Sequence, residues 1–143
     1  MGREWNLKIR SIDTDDSRVG EFINHAFTDF ATKKDIELNY EDYCFIAETD
    51  DGTIAGAITG RAYYNEVHIG DLIVDEHYRG QDIGTHLVRA VEQAYGNGKY
   101  EKITLTTFGF QAPEFYKKLG YSLEFIREDK DPKLSKYFFC KYI

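Results

Sequence analysis

The chain has 143 residues, of which 42% are hydrophobic and 15% aromatic, and its formal net charge is −7. This size and apolar content predict a single compact domain over residues 1–143 and exclude a wholly disordered chain. The acidic balance disfavours binding to nucleic acid, and no apolar run approaches the roughly 20 residues that cross a bilayer. With a charged N-terminus that lacks an apolar signal core, we expect a soluble, cytoplasmic protein without a membrane partner.

The first half of the chain predicts a strand, a helix and three more strands. Apolar and polar residues alternate over residues 5–11, as is typical of a strand. Carboxylates at 13–16 can cap a helix of about 15 residues with one apolar stripe. Strands are predicted at 43–48, 54–64 and 66–74, and the Asp51-Gly52 pair favours a hairpin turn between the first two.

The second half predicts an amphipathic helix at 83–95, a strand at 102–107, a short helix at 111–119 and strands at 121–126 and 136–143. The complete order is β-α-β-β-β-α-β-α-β-β. Consecutive strands form antiparallel hairpins, whereas the β-α-β unit around residues 83–95 predicts a parallel pair. We therefore expect an α/β fold with a mixed sheet and helices on both faces.

Cysteine usage points away from disulfide or metal chemistry. Cys44 and Cys140 both lie in apolar segments, so we expect two buried, reduced thiols. No C-x-x-C pair or Cys/His cluster occurs, and no metal site is predicted.

The strand at 66–74 changes its apolar phase at a glycine. Val67 and Ile69 occupy odd positions and Leu72 and Val74 even ones, with Gly70 between them. A slip of this kind indicates a β-bulge. The alternative is a strand buried on both faces, because Ile73 keeps the first phase.

A loop with two glycines follows this strand and leads into the helix at 83–95. Gly80 and Gly84 allow a ligand to approach the backbone, and the N–H groups at the start of a helix favour an anion. Glycines in such a turn can also serve geometry alone. The loop does not match the P-loop or the dinucleotide-binding pattern.

Two segments resemble motifs of the GNAT superfamily of acyl-CoA N-acyltransferases. Residues 72–85 (LIVDEHYRGQDIGT) resemble motif A, a hydrophobic strand followed by [QR]-x-x-G-x-[GA] at the start of a helix. Residues 112–121 (APEFYKKLGY) resemble motif B, A-x-x-x-Y-x-K-x-G-[FY]. The resemblance covers about residues 5–143, and it implies a GNAT-like fold with a splayed central sheet.

The resemblance also implies acetyl-CoA as co-substrate, without a metal. The backbone of Leu72, Ile73 and Val74 would pair with the pantetheine arm. Backbone N–H groups of the following loop would hold the pyrophosphate, and they belong to Arg79, Gly80, Gln81, Asp82, Ile83, Gly84 and Thr85.

The chain departs from the family pattern at two positions. Asp82 stands where motif A has its first glycine. Its side chain could point to solvent or cap the helix while its N–H still serves the phosphate, or its charge could weaken binding of CoA. Gly109 stands where many relatives carry an asparagine, seven residues before Tyr116.

The reaction implied by the resemblance is direct attack of a primary amine, of a small molecule or a peptide, on the acetyl thioester. Tyr116 would donate a proton to the CoA thiolate, although a core aromatic would show the same pattern. His68 would accept the proton from the amine unless it is a partly exposed strand residue, and Glu66 is the substitute base. A backbone N–H near Ile73 or Val74 would stabilise the oxyanion.

The acceptor pocket implied by the family lies between the first helical region and the hairpins. Its aromatic candidates are Phe27, Phe30, Tyr40, Tyr63, Tyr64 and Tyr137, most of which could equally be core residues. Two alternatives to acetyl transfer remain at this point, a non-catalytic CoA-binding sensor or partner module and transfer of another acyl group. A homodimer is also plausible for the family.

Overall fold

The computed structural model describes residues 5–143, and they fall into two compact units that divide between Leu38 and Asn39. The N-terminal unit holds α1 (Ser17–Lys33), and the Asp16 side chain caps it by accepting a hydrogen bond from the Arg18 N–H at 3.0 Å. Residues 5–12 have no regular secondary structure and are exposed, so the strand predicted at 5–11 is wrong. A period of two favours a strand only where a neighbouring strand completes its hydrogen bonds. The assignment of residues 1–143 to a single domain stays a prediction.

The C-terminal unit is built on a six-stranded sheet. The strands are β1 (Glu41–Glu48), β2 (Ile54–Tyr63), β3 (Glu66–Val74), β4 (Lys102–Phe108), β5 (Ser122–Arg127) and β6 (Lys136–Tyr142). Their order in the sheet is β1-β2-β3-β4-β6-β5. Only β3 and β4 are parallel, and the other four pairs are antiparallel. The predicted mixed sheet is confirmed, with six strands among the described residues.

Two helices pack on one face of this sheet. They are α2 (Ile83–Tyr95) and α3 (Pro113–Lys118). Leu87, Val88 and Val91 of α2 and Tyr116 of α3 are buried in one core with the inward residues of the strands. The prediction of helices on both faces is therefore not met within this unit.

The cysteine prediction is half right. Cys140 is buried in β6, and burial raises the pKa of its thiol. Cys44 is exposed, because its neighbour Tyr43 takes the inward position of β1. An apolar stretch does not reveal which of its two alternating faces is covered.

No helix within residues 5–143 has the length and apolarity required to span a membrane.

Candidate active site

The phase slip at Gly70 is a β-bulge. In the β2–β3 ladder Asp71 pairs with Thr59 and Ile69 pairs with Gly60, so Gly70 has no partner of its own. The extra residue exchanges the faces of the strand: Val67 and Ile69 point to the core before it, and Leu72 and Val74 do so after it. Ile73 is 63% exposed, which rules out a strand buried on both faces.

Gly60 lies opposite the bulge and has no room for a side chain. A Cβ at this position would collide with the His68 carbonyl oxygen and with the Tyr43 hydroxyl. That hydroxyl donates a hydrogen bond of 2.9 Å to the same carbonyl, and burial raises the pKa of Tyr43. Tyr43 thus ties β1 to the first half of β3 beneath the bulge.

After the bulge β3 separates from β4. The parallel ladder joins only residues 66–69 of β3 to residues 102–105 of β4. Leu72, Ile73 and Val74 pair with β2 alone, so their other edge has no strand partner among the described residues. A backbone edge of this kind can add an extended chain with amide groups, which is the chemistry of pantetheine. The residues present therefore fit the pantetheine arm that the sequence implies.

The loop after β3 is folded by its own side chains. Asp75 accepts hydrogen bonds of 2.9 Å from the His77 N–H and of 2.9 Å from the His77 ring, across a 3₁₀ turn at Glu76–Tyr78. The Arg79 Nε donates to the Val74 carbonyl at 3.3 Å, and Gly80 has a φ of +84°. The chain thus reverses tightly between the unpaired strand edge and α2.

Asp82 is the residue before α2 and has a left-handed backbone, with φ 61° and ψ 22°. This conformation explains why the family pattern has glycine here, and aspartate is among the few other residues that adopt it readily. The Asp82 side chain is exposed and makes no capping hydrogen bond. Of the predicted roles, orientation toward solvent is confirmed and capping of the helix is wrong. The first N–H groups of α2 thus have no side-chain cap, as suits an anion site.

Gly84 lets the start of α2 approach α3. A Cβ there would lie 3.3 Å from the Phe115 ring and 3.8 Å from the Val74 side chain. The two helices follow the parallel strands β3 and β4, whose carboxyl ends share one edge of the sheet. The phosphate-binding candidates and the tyrosine of α3 consequently belong to the same edge.

Tyr116 lies on α3 and is 6% exposed. Its ring packs against Phe115, Tyr121 and Phe139, with centroids 5.1, 5.9 and 6.1 Å away. Burial raises the pKa of Tyr116 to about 12, so the phenol keeps its proton at neutral pH. By packing it is a core aromatic, and its role as proton donor stays a prediction.

Gly109 is held under another segment of the chain. Its N–H donates to the Ser135 carbonyl at 2.8 Å, and a Cβ on it would collide with the Pro132 carbonyl. The asparagine found at this position in many relatives therefore has no space here, which accounts for the second departure from the family pattern.

His68 belongs to a row of polar groups on the face opposite α2. Its Nδ1 lies 3.0 Å from the Thr104 hydroxyl oxygen, and that hydroxyl donates to Glu66 Oε2 at 2.6 Å. The Tyr63 hydroxyl donates to the same oxygen at 3.4 Å. Burial lowers the pKa of His68, and the Glu66 charge opposes this change. The structure thus brings together the two predicted base candidates and adds Thr104, which the sequence did not single out.

An open pocket of about 480 Å³ adjoins this row. It is lined in part by Tyr43, Arg61, Tyr63, His68 and Gly70. Arg61 is paired with Asp42 at 2.7 Å across β1 and β2. The pocket places the histidine beside the bulge on a surface that a small molecule can reach.

Three of the aromatic candidates for the acceptor pocket pack together. Tyr40, Tyr63 and Tyr64 pack edge to face, with ring centroids 5.7 to 6.0 Å apart. Tyr137 stacks on Phe139 on the core face of β6, so it does not join them. Phe27 and Phe30 are exposed residues of α1, in the N-terminal unit.

Residues 5–143 contain no group of histidine, cysteine or acidic side chains arranged to hold a metal ion.

Comparison with known proteins agrees with this architecture. Residues 8–121 match the model of the acetyltransferase (GNAT) family. Blasticidin-S acetyltransferase of Streptomyces morookaense is 30% identical over 103 residues, which are 71% of this chain and 75% of that protein. An acetyltransferase from Bacillus cereus has a crystal structure with a TM-score of 0.77 and 30% identity, covering 94% of this chain and 98% of that one.

A GNAT family acetyltransferase from Elizabethkingia anophelis, crystallised with acetyl-CoA bound, shares the fold. Its TM-score is 0.62 at 16% identity, over 86% of this chain and 82% of that one. The chain described here belongs to the GNAT acetyltransferase family, and it is an acyltransferase.

Proposed function

We propose that this protein transfers the acetyl group of acetyl-CoA to a primary amine of a small molecule or peptide, by direct attack of the amine. The observation that carries the proposal is the separation of β3 from β4 after the Gly70 bulge. It leaves the edge of Leu72, Ile73 and Val74 unpaired beside a glycine loop and an uncapped helix start. The acetyl-CoA bound to the Elizabethkingia protein of the same fold supports this assignment.

The co-substrate binds along that edge and loop in this proposal. The backbone of residues 72–74 pairs with the pantetheine amides, and N–H groups from Arg79 to Thr85 bind the pyrophosphate. Bound acetyl-CoA supplies an electrophilic thioester carbonyl. A backbone N–H of Ile73 or Val74 lies on the same edge and stabilises the oxyanion that forms there.

Two side chains move the protons. His68 accepts a proton from the substrate ammonium, because the neutral imidazole is the form that burial favours. Tyr116 donates its hydroxyl proton to the departing thiolate, because its pKa of about 12 keeps the phenol protonated until the sulfur develops charge.

The acceptor enters the pocket beside His68. The acetylated compound named for the Streptomyces relative, blasticidin S, belongs in the first panel of amines together with small polyamines and peptide N-termini. The exposed tyrosine pair of Tyr40 and Tyr64 can contact a cationic or apolar part of such an amine.

Two assays test the proposal. Acetyl-CoA should raise the melting temperature, because it binds the folded chain. At a ligand concentration of a hundred times Kd, the free energy of unfolding should increase by about 2.7 kcal/mol. Release of CoA thiol should depend on one or more amines of the panel. Absence of a thermal shift at millimolar ligand contradicts the co-substrate assignment, and saturable binding without thiol release across the panel contradicts transfer to an amine.

A further inference from the structure

The proton carried by the His68 ring can be assigned from its neighbours. A carboxylate only accepts hydrogen bonds, so the single hydroxyl proton of Thr104 is given to Glu66 at 2.6 Å. The Thr104 oxygen, 3.0 Å from His68 Nδ1, can then only accept a hydrogen bond from that nitrogen. Nδ1 therefore bears the proton of the neutral ring, and Nε2 holds the lone pair.

We propose that Thr104 and Glu66 are positioning residues that fix the tautomer and the orientation of His68, so that Nε2 is the basic atom presented to the acceptor amine. The inference rests on the proposed acetyl transfer, since it gives the reason why one ring nitrogen must be kept free. Nε2 has no hydrogen-bond partner within residues 5–143, whereas His68 lines the open pocket.

The proton balance of the step is simple. The Nε2 lone pair takes one proton from the substrate ammonium, which leaves a neutral amine able to attack the thioester. The ring becomes an imidazolium, and its Nδ1–H continues to donate to Thr104. No proton passes through Thr104, because its hydroxyl remains directed to the Glu66 carboxylate. The negative charge of Glu66 and the oriented hydroxyl dipole both favour the imidazolium form of the ring.

The arrangement depends on three strands. His68 and Glu66 lie on β3, and Thr104 is the register partner of His68 on β4, in the last part of the ladder before the strands separate. Tyr63 on β2 supports Glu66 from the other side at 3.4 Å. The His68 ring is thus held from β4, and the Glu66 carboxylate behind Thr104 is supported from β2.

Several other charged or titratable groups share this face and enter any pH dependence. They are Asp42 on β1, Arg61 and Tyr63 on β2, Asp71 on β3, Lys102 on β4 and Cys140 on β6. Asp42 and Arg61 neutralise each other at 2.7 Å. Glu66 is the carboxylate linked to the ring through the Thr104 hydroxyl, so its effect is separable by substitution.

Nuclear magnetic resonance of the ¹⁵N-labelled protein tests the assignment without any activity. Long-range proton–nitrogen spectra at about pH 8, well above the usual histidine pKa near 6.5, report which ring nitrogen is protonated. The chain has four histidines, and His68→Gln identifies the His68 signals by their loss. We expect the Nδ1–H tautomer in the wild-type protein and in Thr104→Ser, and a shift of the population toward Nε2–H in Thr104→Val.

Thr106→Val is the matched control, since it makes the same exchange two residues along β4 and leaves the Thr104 hydroxyl in place. Its His68 signals should match those of the wild type. An Nε2–H tautomer in the wild-type protein, or an unchanged tautomer in a folded Thr104→Val variant, overturns the inference. If Thr104→Val does not fold, the wild-type spectrum and Glu66→Gln decide, since Gln can also donate and should leave a mixture of tautomers.

Kinetics give the second readout. Thr104→Val should lower kcat/KM about tenfold, as loss of one oriented hydrogen bond would, and Thr104→Ser should restore it. Glu66→Gln should move the acidic limb of the kcat/KM profile to lower pH, because the Glu66 charge raises the pKa of His68. Failure of acetyl transfer itself would appear in the wild-type assays. Failure of the inference would appear as a His68 tautomer that is unchanged in Thr104→Val, or as an acidic limb that Glu66→Gln does not move.

Discussion

The two halves of β3, before and after Gly70, differ in the number of strands that they pair with. Before Gly70 the strand is paired on both sides, and its outer face carries Glu66 and His68 in a hydrogen-bonded row. After Gly70 it is paired on one side only, and its free edge leads into the loop before α2. One inserted residue separates a segment that is paired on both sides from a segment that, in the described chain, has one unpaired edge.

The two halves belong to one continuous strand and differ in pattern as well as in pairing. Apolar and polar residues alternate over residues 66–69, whereas Leu72, Ile73 and Val74 are three consecutive apolar residues. Among the described residues, only the first half has a neighbouring strand on each side. A base must be held in one geometry, so it profits from two neighbouring strands. A strand edge that binds an extended ligand must keep its backbone amide groups unpaired, so it needs a neighbouring strand on one side only.

The largest effect is expected for Tyr116, the proposed proton donor. Tyr116→Phe should lower kcat about a thousandfold, because the thiolate then leaves without a proton donor, while the affinity for acetyl-CoA changes little. Steady-state kinetics and calorimetric titration with acetyl-CoA measure the two quantities. Tyr121→Phe is the matched control: its hydroxyl binds Glu92 at 3.0 Å, so stability should fall by about 1 kcal/mol while kcat is kept. Equal kcat in the wild type and Tyr116→Phe would refute the acid role.

The second largest effect is expected for His68, in the half of β3 that is paired on both sides. His68→Ala should lower kcat/KM near pH 7 about a hundredfold. In the wild type, kcat/KM should fall as the pH drops through the His68 pKa, which burial places below its usual value near 6.5. The variant should lose this limb of the pH profile. A limb of the same position and slope in both proteins means that another group is the base.

The close packing opposite the bulge can be tested by substitution. Gly60→Ala should destabilise the fold by about 1–3 kcal/mol, because the new methyl group collides with the His68 carbonyl and the Tyr43 hydroxyl. Gly70→Ala is the matched change on the other strand, where the nearest atom lies 3.4 Å from the new Cβ, and it should have a small effect. Urea denaturation of both variants measures the difference. Similar losses in the two would show that the close packing is not specific to Gly60.

The smallest effect concerns the loop that follows β3. Asp82→Gly should tighten acetyl-CoA binding about threefold, because it removes a negative charge from the start of α2 and keeps the left-handed backbone accessible. Asp82→Asn removes the charge while keeping a side chain that tolerates this conformation, and it should give a similar gain. Calorimetric titration at low salt is the suitable measurement. Weaker binding by both variants would indicate that the carboxylate contributes to the site.

Features that depend on residues close in the sequence could be predicted from local sequence patterns. The phase change around Gly70 indicated the bulge, and the periodic stretch at Ile83–Tyr95 gave the bounds of α2. The strand expected at residues 5–11 failed because its alternation has no strand to pair with in the described chain. Cys44 failed because the faces of β1 are decided by what packs on the sheet.

The site was predictable where a motif spans it and not where strands meet. His68, Glu66 and Tyr116 could be singled out by position, although their roles stay predictions. Thr104 gave no signal, because it lies 36 residues from His68 and only the register of the parallel ladder brings the two together. The left-handed backbone of Asp82 was not predicted either. Glycine, the residue type that most often adopts this conformation, is absent at this position.

The packing of Gly109 against the Pro132 carbonyl has a consequence for mutation. A side chain cannot occupy position 109 while the loop at Pro132–Leu134 keeps its course, so substitutions at the two sites are expected to be coupled. A redesign that introduces a side chain at position 109 must therefore change the loop at Pro132–Leu134 in the same step.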